Sequence, residues 1–158
     1  MCHYCGCRQI PLIIDYIAEH DAALAIGADA VVALERDDLD AARVLLDQLA
    51  QNLRSHWRGE EEGIFAAMSA DAAYADYIST LVREHRELDA LLTRADLGDQ
   101  QDRDAILVAI AELSAHIRKE EDGLFPASLT TLDGEAWNQS IQAWQLAHPG
   151  AVLQTEGS

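Results

Sequence analysis

The sequence is poor in residues that interrupt helices. Only three prolines occur in 158 residues (Pro11, Pro126 and Pro149), and between Leu12 and Leu97 the only glycines are Gly27, Gly59 and Gly63. Long uninterrupted helices are therefore allowed. No alternating run of β-branched residues marks a strand. The three cysteines all lie within the first seven residues, which excludes a disulfide framework for the body of the chain. Basic residues are scarce as well, 11 Lys plus Arg against 28 Asp plus Glu, for a net charge of −17. A surface that negative repels phosphate backbones and anionic lipid, so nucleic acid and membrane surfaces are poor partners. No apolar run approaches the roughly 20 residues that span a bilayer, and the N-terminus lacks the basic-then-apolar order of a secretory signal. A cytoplasmic location is expected.

What is present is helical periodicity. Ile10, Ile13, Ile14, Ile17, Leu24 and Val31 form a first stripe; Ala42, Leu45, Leu49, Leu53 and Ile64 a second. Ile78, Leu81, Leu88 and Leu92 form a third, and Ile106, Ile110, Leu113 and Leu124 a fourth. Polar breaks fall at 36–38, 69–71 and 97–101, with Asp38 and Asp71 as N-caps and Gly98 as a C-cap. Short turns between long helices make neighbours antiparallel, which predicts an all-α, up-down-up-down four-helix bundle over 10–130. Residues 1–9 are a cysteine-rich N-terminal segment. In the tail, 131–158, the weaker stripe Trp137, Ile141, Trp144, His148 predicts a short extra helix laid over one end or side of the bundle.

The chain also repeats itself. His56-Trp-Arg-Gly-Glu-Glu-Glu-Gly-Ile-Phe65 aligns with His116-Ile-Arg-Lys-Glu-Glu-Asp-Gly-Leu-Phe125, with six identities in ten positions at an offset of 60. Glu19-His20 and Glu84-His85 echo each other at an offset of 65. Two duplicated helical hairpins explain both offsets and bring the repeated residues together about a pseudo-twofold axis.

His20 falls within the first stripe and His85 within the third, so both point inward. His56 and Glu60, like His116 and Glu120, are spaced i, i+4 and continue their stripes. Four imidazoles and two carboxylates thus meet in the core near mid-height, with no Lys or Arg in the stripes to offset the buried negative charge. Burying a lone carboxylate costs several kcal/mol, and a metal supplies the missing positive charge. Mixed imidazole and carboxylate ligation suits iron, manganese or zinc, and carboxylates able to bridge favour two ions, with iron ranked above zinc. Glu61 and Glu121 are candidate further ligands, but at i+5 from the histidines they rotate off the inward line and read better as solvated groups or as partners of the ligands. Glu19 and Glu84 read as surface charges. Tyr16, one turn before His20, faces the site either as a hydrogen-bond donor beside the ligands or as a core aromatic.

His20, His56-x3-Glu60, His85 and His116-x3-Glu120, on four helices, resemble the hemerythrin-like family, the HHE cation-binding domain. The resemblance implies two non-haem iron ions, oxo- or hydroxo-bridged and spanned by Glu60 and Glu120. It further implies proteins that bind oxygen, nitric oxide or peroxide, sense iron or oxygen, or repair iron centres. Oxygen-carrying hemerythrins place a second histidine one turn after the third-helix one; here that position is Asp89. Asp89 either supplies an oxygen ligand or turns aside and leaves an open position. Either arrangement favours redox turnover or sensing, including catalase-like or nitric-oxide-related activity, over transport. The alternative is a reversible oxygen-binding or iron-buffering protein without turnover. A protein partner or homodimer would carry any signal onward. Cys2, His3, Cys5 and Cys7 could bind a soft metal, form a redox pair or bridge two chains.

Overall fold

The computed structural model describes residues 6–154, which contain helices and no strand. Four long helices, α1 (Ile13–Glu35), α2 (Leu39–Glu60), α3 (Ala72–Arg94) and α4 (Gln100–Lys119), are followed by a shorter α5 (Gly134–Ala147). A 3-10 turn, Cys7–Gln9, precedes α1. Aspartates start four of these helices: Asp38, Asp71, Asp99 and Asp133 accept hydrogen bonds from the backbone N–H of Ala41, Ala73, Gln101 and Ala136. Each such cap is worth about 1 kcal/mol. Gly98 is not the C-cap expected from the sequence. α3 stops at Arg94 with Ala95 as its cap, and Gly98 lies in the following turn, its N–H donating to Asp96.

Two helices run on past the ends just given. α2 widens at Glu61–Phe65 into a π-helical turn and ends with Ala66–Met68; α4 does the same at Glu120–Leu124 before Phe125–Thr131. Both π-turns fall within the repeated decapeptide. Such turns insert an extra residue in the helical ladder and re-aim the side chains around it.

The buried face of α1 differs from the stripe of large apolar residues. It runs Tyr16, His20, Ala23, Gly27, Ala30, Leu34, while Ile14, Ile17, Leu24 and Val31 are only half-buried. Small residues on this line let neighbouring helices approach closely: a Cβ added at Gly27 would lie 3.2 Å from Cγ2 of Ile110 on α4. α1 packs on α2 and α4, α3 packs on α2 and α4, and α5 lies along α2 and its π-turn. The apolar interior is split in two. One cluster, containing Leu46, Leu53, Trp57, Leu92 and Leu113, fills one end; the other, containing Ile13, Phe65, Leu81, Leu124 and Phe125, fills the opposite end. Between them lies a polar layer.

Candidate metal centre

His20 on α1, His56 and Glu60 on α2, His85 on α3, and His116 at the end of α4 with Glu120 at the start of its π-turn, form that layer; all six are buried. The imidazoles face each other in pairs. Nε2 of His20 lies 3.0 Å from Nε2 of His56, and Nε2 of His85 lies 3.0 Å from Nε2 of His116. The two carboxylates sit between the pairs. Glu60 Oε1 is 3.2 Å from His56 and 3.9 Å from His20, while its Oε2 is 3.8 Å from His85. Glu120 Oε2 is 3.1 Å from His20, while its Oε1 is 2.9 Å from His116 and 3.5 Å from His85. Each carboxylate therefore turns one oxygen to each pair.

The far side of every imidazole is fixed by a second carboxylate. His56 Nδ1 contacts Glu19 at 2.6 Å, His85 Nδ1 contacts Glu61 at 2.8 Å, His116 Nδ1 contacts Glu84 at 2.7 Å and His20 Nδ1 contacts Glu121 at 2.8 Å. Donation from Nδ1–H to a carboxylate places the proton on Nδ1 and leaves the Nε2 lone pair facing inward. Burial pushes these four outer carboxylates up, and their imidazole and cationic partners outweigh it, holding all four below the ordinary carboxylate range.

With the protons outside, the inner layer is an assembly of lone pairs. Among the described residues, the buried side-chain polar atoms without a hydrogen-bond partner are the four oxygens of Glu60 and Glu120 and the hydroxyl of Tyr16. Two nitrogen lone pairs held 3.0 Å apart repel one another unless a cation lies between or beside them. Protons serve in the absence of metal. Burial disfavours charge on His116, but Glu120 and Glu84 outweigh it and raise the imidazole to about 9. Burial likewise pushes Glu120 up, and the imidazoles of His116, His20 and His85 hold it well below the carboxylate range. His20, His56, Glu60 and Glu120 form one group able to hold a metal ion, and His85, His116 and Glu120 another.

A model of the hemerythrin HHE cation-binding domain matches residues 13–128. The chain belongs to that family. No curated protein and no solved structure matches it.

Other residues singled out in the sequence fall into place around the HHE layer. Asp89 stays apart from it: its Oδ1 pairs with Arg54 Nε at 2.7 Å, on a partly exposed side of α3. Trp57, one turn after Arg54, stacks on His85 at 4.8 Å between ring centroids. Glu19 and Glu84 are not the free surface charges expected; each grips an imidazole of the next helix. Their signal was the repeated Glu-His dipeptide. Phe65 and Phe125, which close the repeated decapeptide, stack on His85 and His20 at 5.6 and 5.9 Å. Tyr16 packs edge-on against His56 at 5.5 Å and against Phe125. Burial first, then Glu60, Glu19 and Glu120, push its hydroxyl well above the usual phenol range, so it remains a proton donor. Cys2, His3 and Cys5 lie outside the described residues; Cys7 is partly buried in the 3-10 turn.

Two openings lead toward the layer. A largely apolar groove of about 720 Å³ runs between α3 and α4, with His85, His116 and Trp57 in its wall. A smaller pocket of about 270 Å³ lies between α1 and α2, beside Glu19, His56 and His148. None of the described helices is long and apolar enough to cross a membrane.

Proposed function

We propose that the chain is a non-haem di-iron protein that binds or reacts with a small oxidant or gas. The observation that carries this reading is the set of orphaned oxygens on Glu60 and Glu120, each carboxylate turned toward both imidazole pairs. His20 and His56 would hold one iron, His85 and His116 the other, with Glu60 and Glu120 bridging. Bound iron supplies redox chemistry and positions for an exogenous ligand. The protein's own groups do the rest. Glu19, Glu61, Glu84 and Glu121 fix the imidazole tautomer, and the aromatic stacks restrict ring rotation. The unpaired Tyr16 hydroxyl is a hydrogen bond kept for whatever binds beside His56. Since Asp89 is paired with Arg54, it adds no oxygen donor beside His85, and the groove between α3 and α4 gives uncharged molecules a way in. These features support redox turnover or sensing over oxygen transport.

The same reading takes the helical core, 10–130, as an up-down-up-down bundle, supported by the turns at 36–38, 69–71 and 95–99. Residues 1–9 and 131–158 are extensions to it. The test is metal analysis of the purified chain, followed by anaerobic reduction and separate exposure to oxygen, nitric oxide and hydrogen peroxide with absorbance recorded. Two irons per chain and a spectral response to at least one ligand are expected. Zinc alone, or one metal per chain, overturns the di-iron reading.

A further inference from the structure

Each outer carboxylate has a further partner beyond its imidazole, and for three of the four carboxylates that partner is a permanent cation. Arg86 holds Glu61 through both guanidinium nitrogens, Lys119 holds Glu84, and Arg8 holds Glu121 at 2.6 Å. Glu19 is different. Its Oε1 accepts from Trp144 Nε1 at 2.7 Å and lies 3.1 Å from His148 Nε2, and both residues come from α5 or its C-terminal cap. The two residues are tied to each other: their rings stack at 4.5 Å, and His148 Nδ1 donates to the carbonyl of Trp144.

The sequence repeat explains why the two halves differ. Where the second decapeptide has Lys119, the first has Gly59. Lys119 reaches Glu84 from within the bundle. Gly59 cannot reach Glu19, but it clears a seat: a Cβ there would lie 3.4 Å from Cα of Trp144, and one at Gly63 would lie 3.2 Å from Cα of Ser140. α5 packs its backbone onto that seat and delivers Trp144 and His148 to Glu19. Both residues lie beyond the stretch matched by the family model.

We propose that Trp144 and His148 are positioning residues of the metal centre. Through Glu19 they set the orientation of His56, so that the C-terminal helix bears on this one imidazole as Lys119, through Glu84, bears on His116. Removing a group hydrogen-bonded directly to a ligating imidazole commonly changes metal affinity by about 10- to 100-fold, and Trp144 and His148 act one hydrogen bond further out, so the expected effect lies at the low end of that range. The metal readout rests on the di-iron reading above; the proton readout does not.

Trp144→Phe keeps the ring and deletes the N–H, while His148→Leu and His148→Gln remove and retain a donor. In the metal-free, 15N-labelled protein, the first two substitutions should move the Nδ1–H resonance of His56 and leave that of His116 in place. Lys119→Met should do the reverse, and His148→Gln should restore most of the His56 signal. In the iron-loaded protein, Trp144→Phe should release one of two iron equivalents to a chelator about 10-fold faster and leave the other unchanged. Far-ultraviolet dichroism checks the fold of each variant. An unmoved His56 signal in folded Trp144→Phe and His148→Leu, or equal movement of both signals in every variant, overturns the proposal. Binding of fewer than two irons by the unsubstituted chain would instead fault the di-iron reading and leave the proton result standing.

Discussion

Glu61 follows Glu60 directly in the chain, yet its carboxylate accepts from Nδ1 of His85 on the neighbouring helix, 2.8 Å away. The same handover recurs around the bundle. Glu19 of α1 grips His56 of α2, Glu61 at the end of α2 grips His85 of α3, Glu84 of α3 grips His116 of α4, and Glu121 at the end of α4 grips His20 of α1. The ring closes on itself. No helix orients its own imidazole, so a shift of one helix is felt at the imidazole of the next.

The ring and the inner carboxylates should separate in mutagenesis. Glu60→Ala or Glu120→Ala removes a group that faces both imidazole pairs, and metal content should fall by half or more. Thermal stability of the loaded protein should fall with it, because metal binding to the native state stabilises by linkage. Glu61→Gln or Glu121→Gln should retain two metals but weaken their affinity about 10- to 100-fold. Metal analysis and chelator competition decide the matter; identical losses in all four variants would remove the distinction.

Much of this was legible in the sequence, and the missing parts have physical causes. The inward residues show because polar groups inside an apolar stripe break a strong periodic signal. The outer carboxylates show only faintly: the repeated Glu-His dipeptide marks Glu19 and Glu84, but they sit among residues that look solvated, and the packing of an adjacent helix is what reveals their partners. The π-turns re-aim Glu61 and Glu121 in a way that uniform 3.6-residue spacing cannot register. The core line of α1 was hidden because alanine and glycine carry little hydrophobic weight, although they permit the close approach seen at Gly27. Asp89 shows where spacing alone leaves two outcomes open. Its spacing from His85 allowed either a ligand or a side chain turned aside, and Arg54, distant in sequence, draws it outward.

The metal-free protein should lose stability as pH rises. His116 is held at about 9 in the folded chain against an ordinary 6.5, so the folded state binds its proton more tightly than the unfolded state does. That contribution is fully present below about pH 6.5 and disappears as pH climbs through about 9. At 1.36 kcal/mol per pH unit it amounts to ~3 kcal/mol. Urea unfolding with chelator present, between pH 6 and 10, should show this decline. Metal removes it by replacing the protons, so the loaded protein should be flatter over the same range and should release protons on binding metal.

Asp89→Ala should leave metal content unchanged. The Arg54 pair is partly exposed, and such pairs contribute about 0–1 kcal/mol. Urea denaturation should register a change no larger than that. Loss of a metal equivalent from this variant would show that Asp89 reaches the centre.

A chain beginning at Gln9 should keep its helices and two metals, since it loses none of the six inner residues. It does lose Arg8, the outer partner of Glu121. That guanidinium is about one-third exposed, so the expected effect is a few-fold faster metal release. Chelator kinetics on the shortened chain measure it; complete loss of metal would mean that the N-terminal thiols take part.

The groove between α3 and α4 leads to the last prediction. It follows α4 from Asp104 to His116, roughly 18 Å at 1.5 Å per residue. Its walls include Leu88, Leu91, Val108 and Ala109, while Glu84, Glu87, Asp104 and Glu112 outnumber the cation Lys119 and leave the lining net negative. Apolar walls favour uncharged molecules, and the carboxylates repel anions. Ala109→Trp should obstruct the passage and slow the reaction of the reduced protein with nitric oxide about 10-fold, without changing metal content. Ala22→Phe, at the smaller pocket beside His56, should leave that rate alone. Azide, an anion, should associate faster as ionic strength rises because salt screens the carboxylates, whereas nitric oxide should not respond. Stopped-flow absorbance follows both reactions. If Ala22→Phe slows nitric oxide and Ala109→Trp does not, the ligand reaches the centre from the α1/α2 side instead.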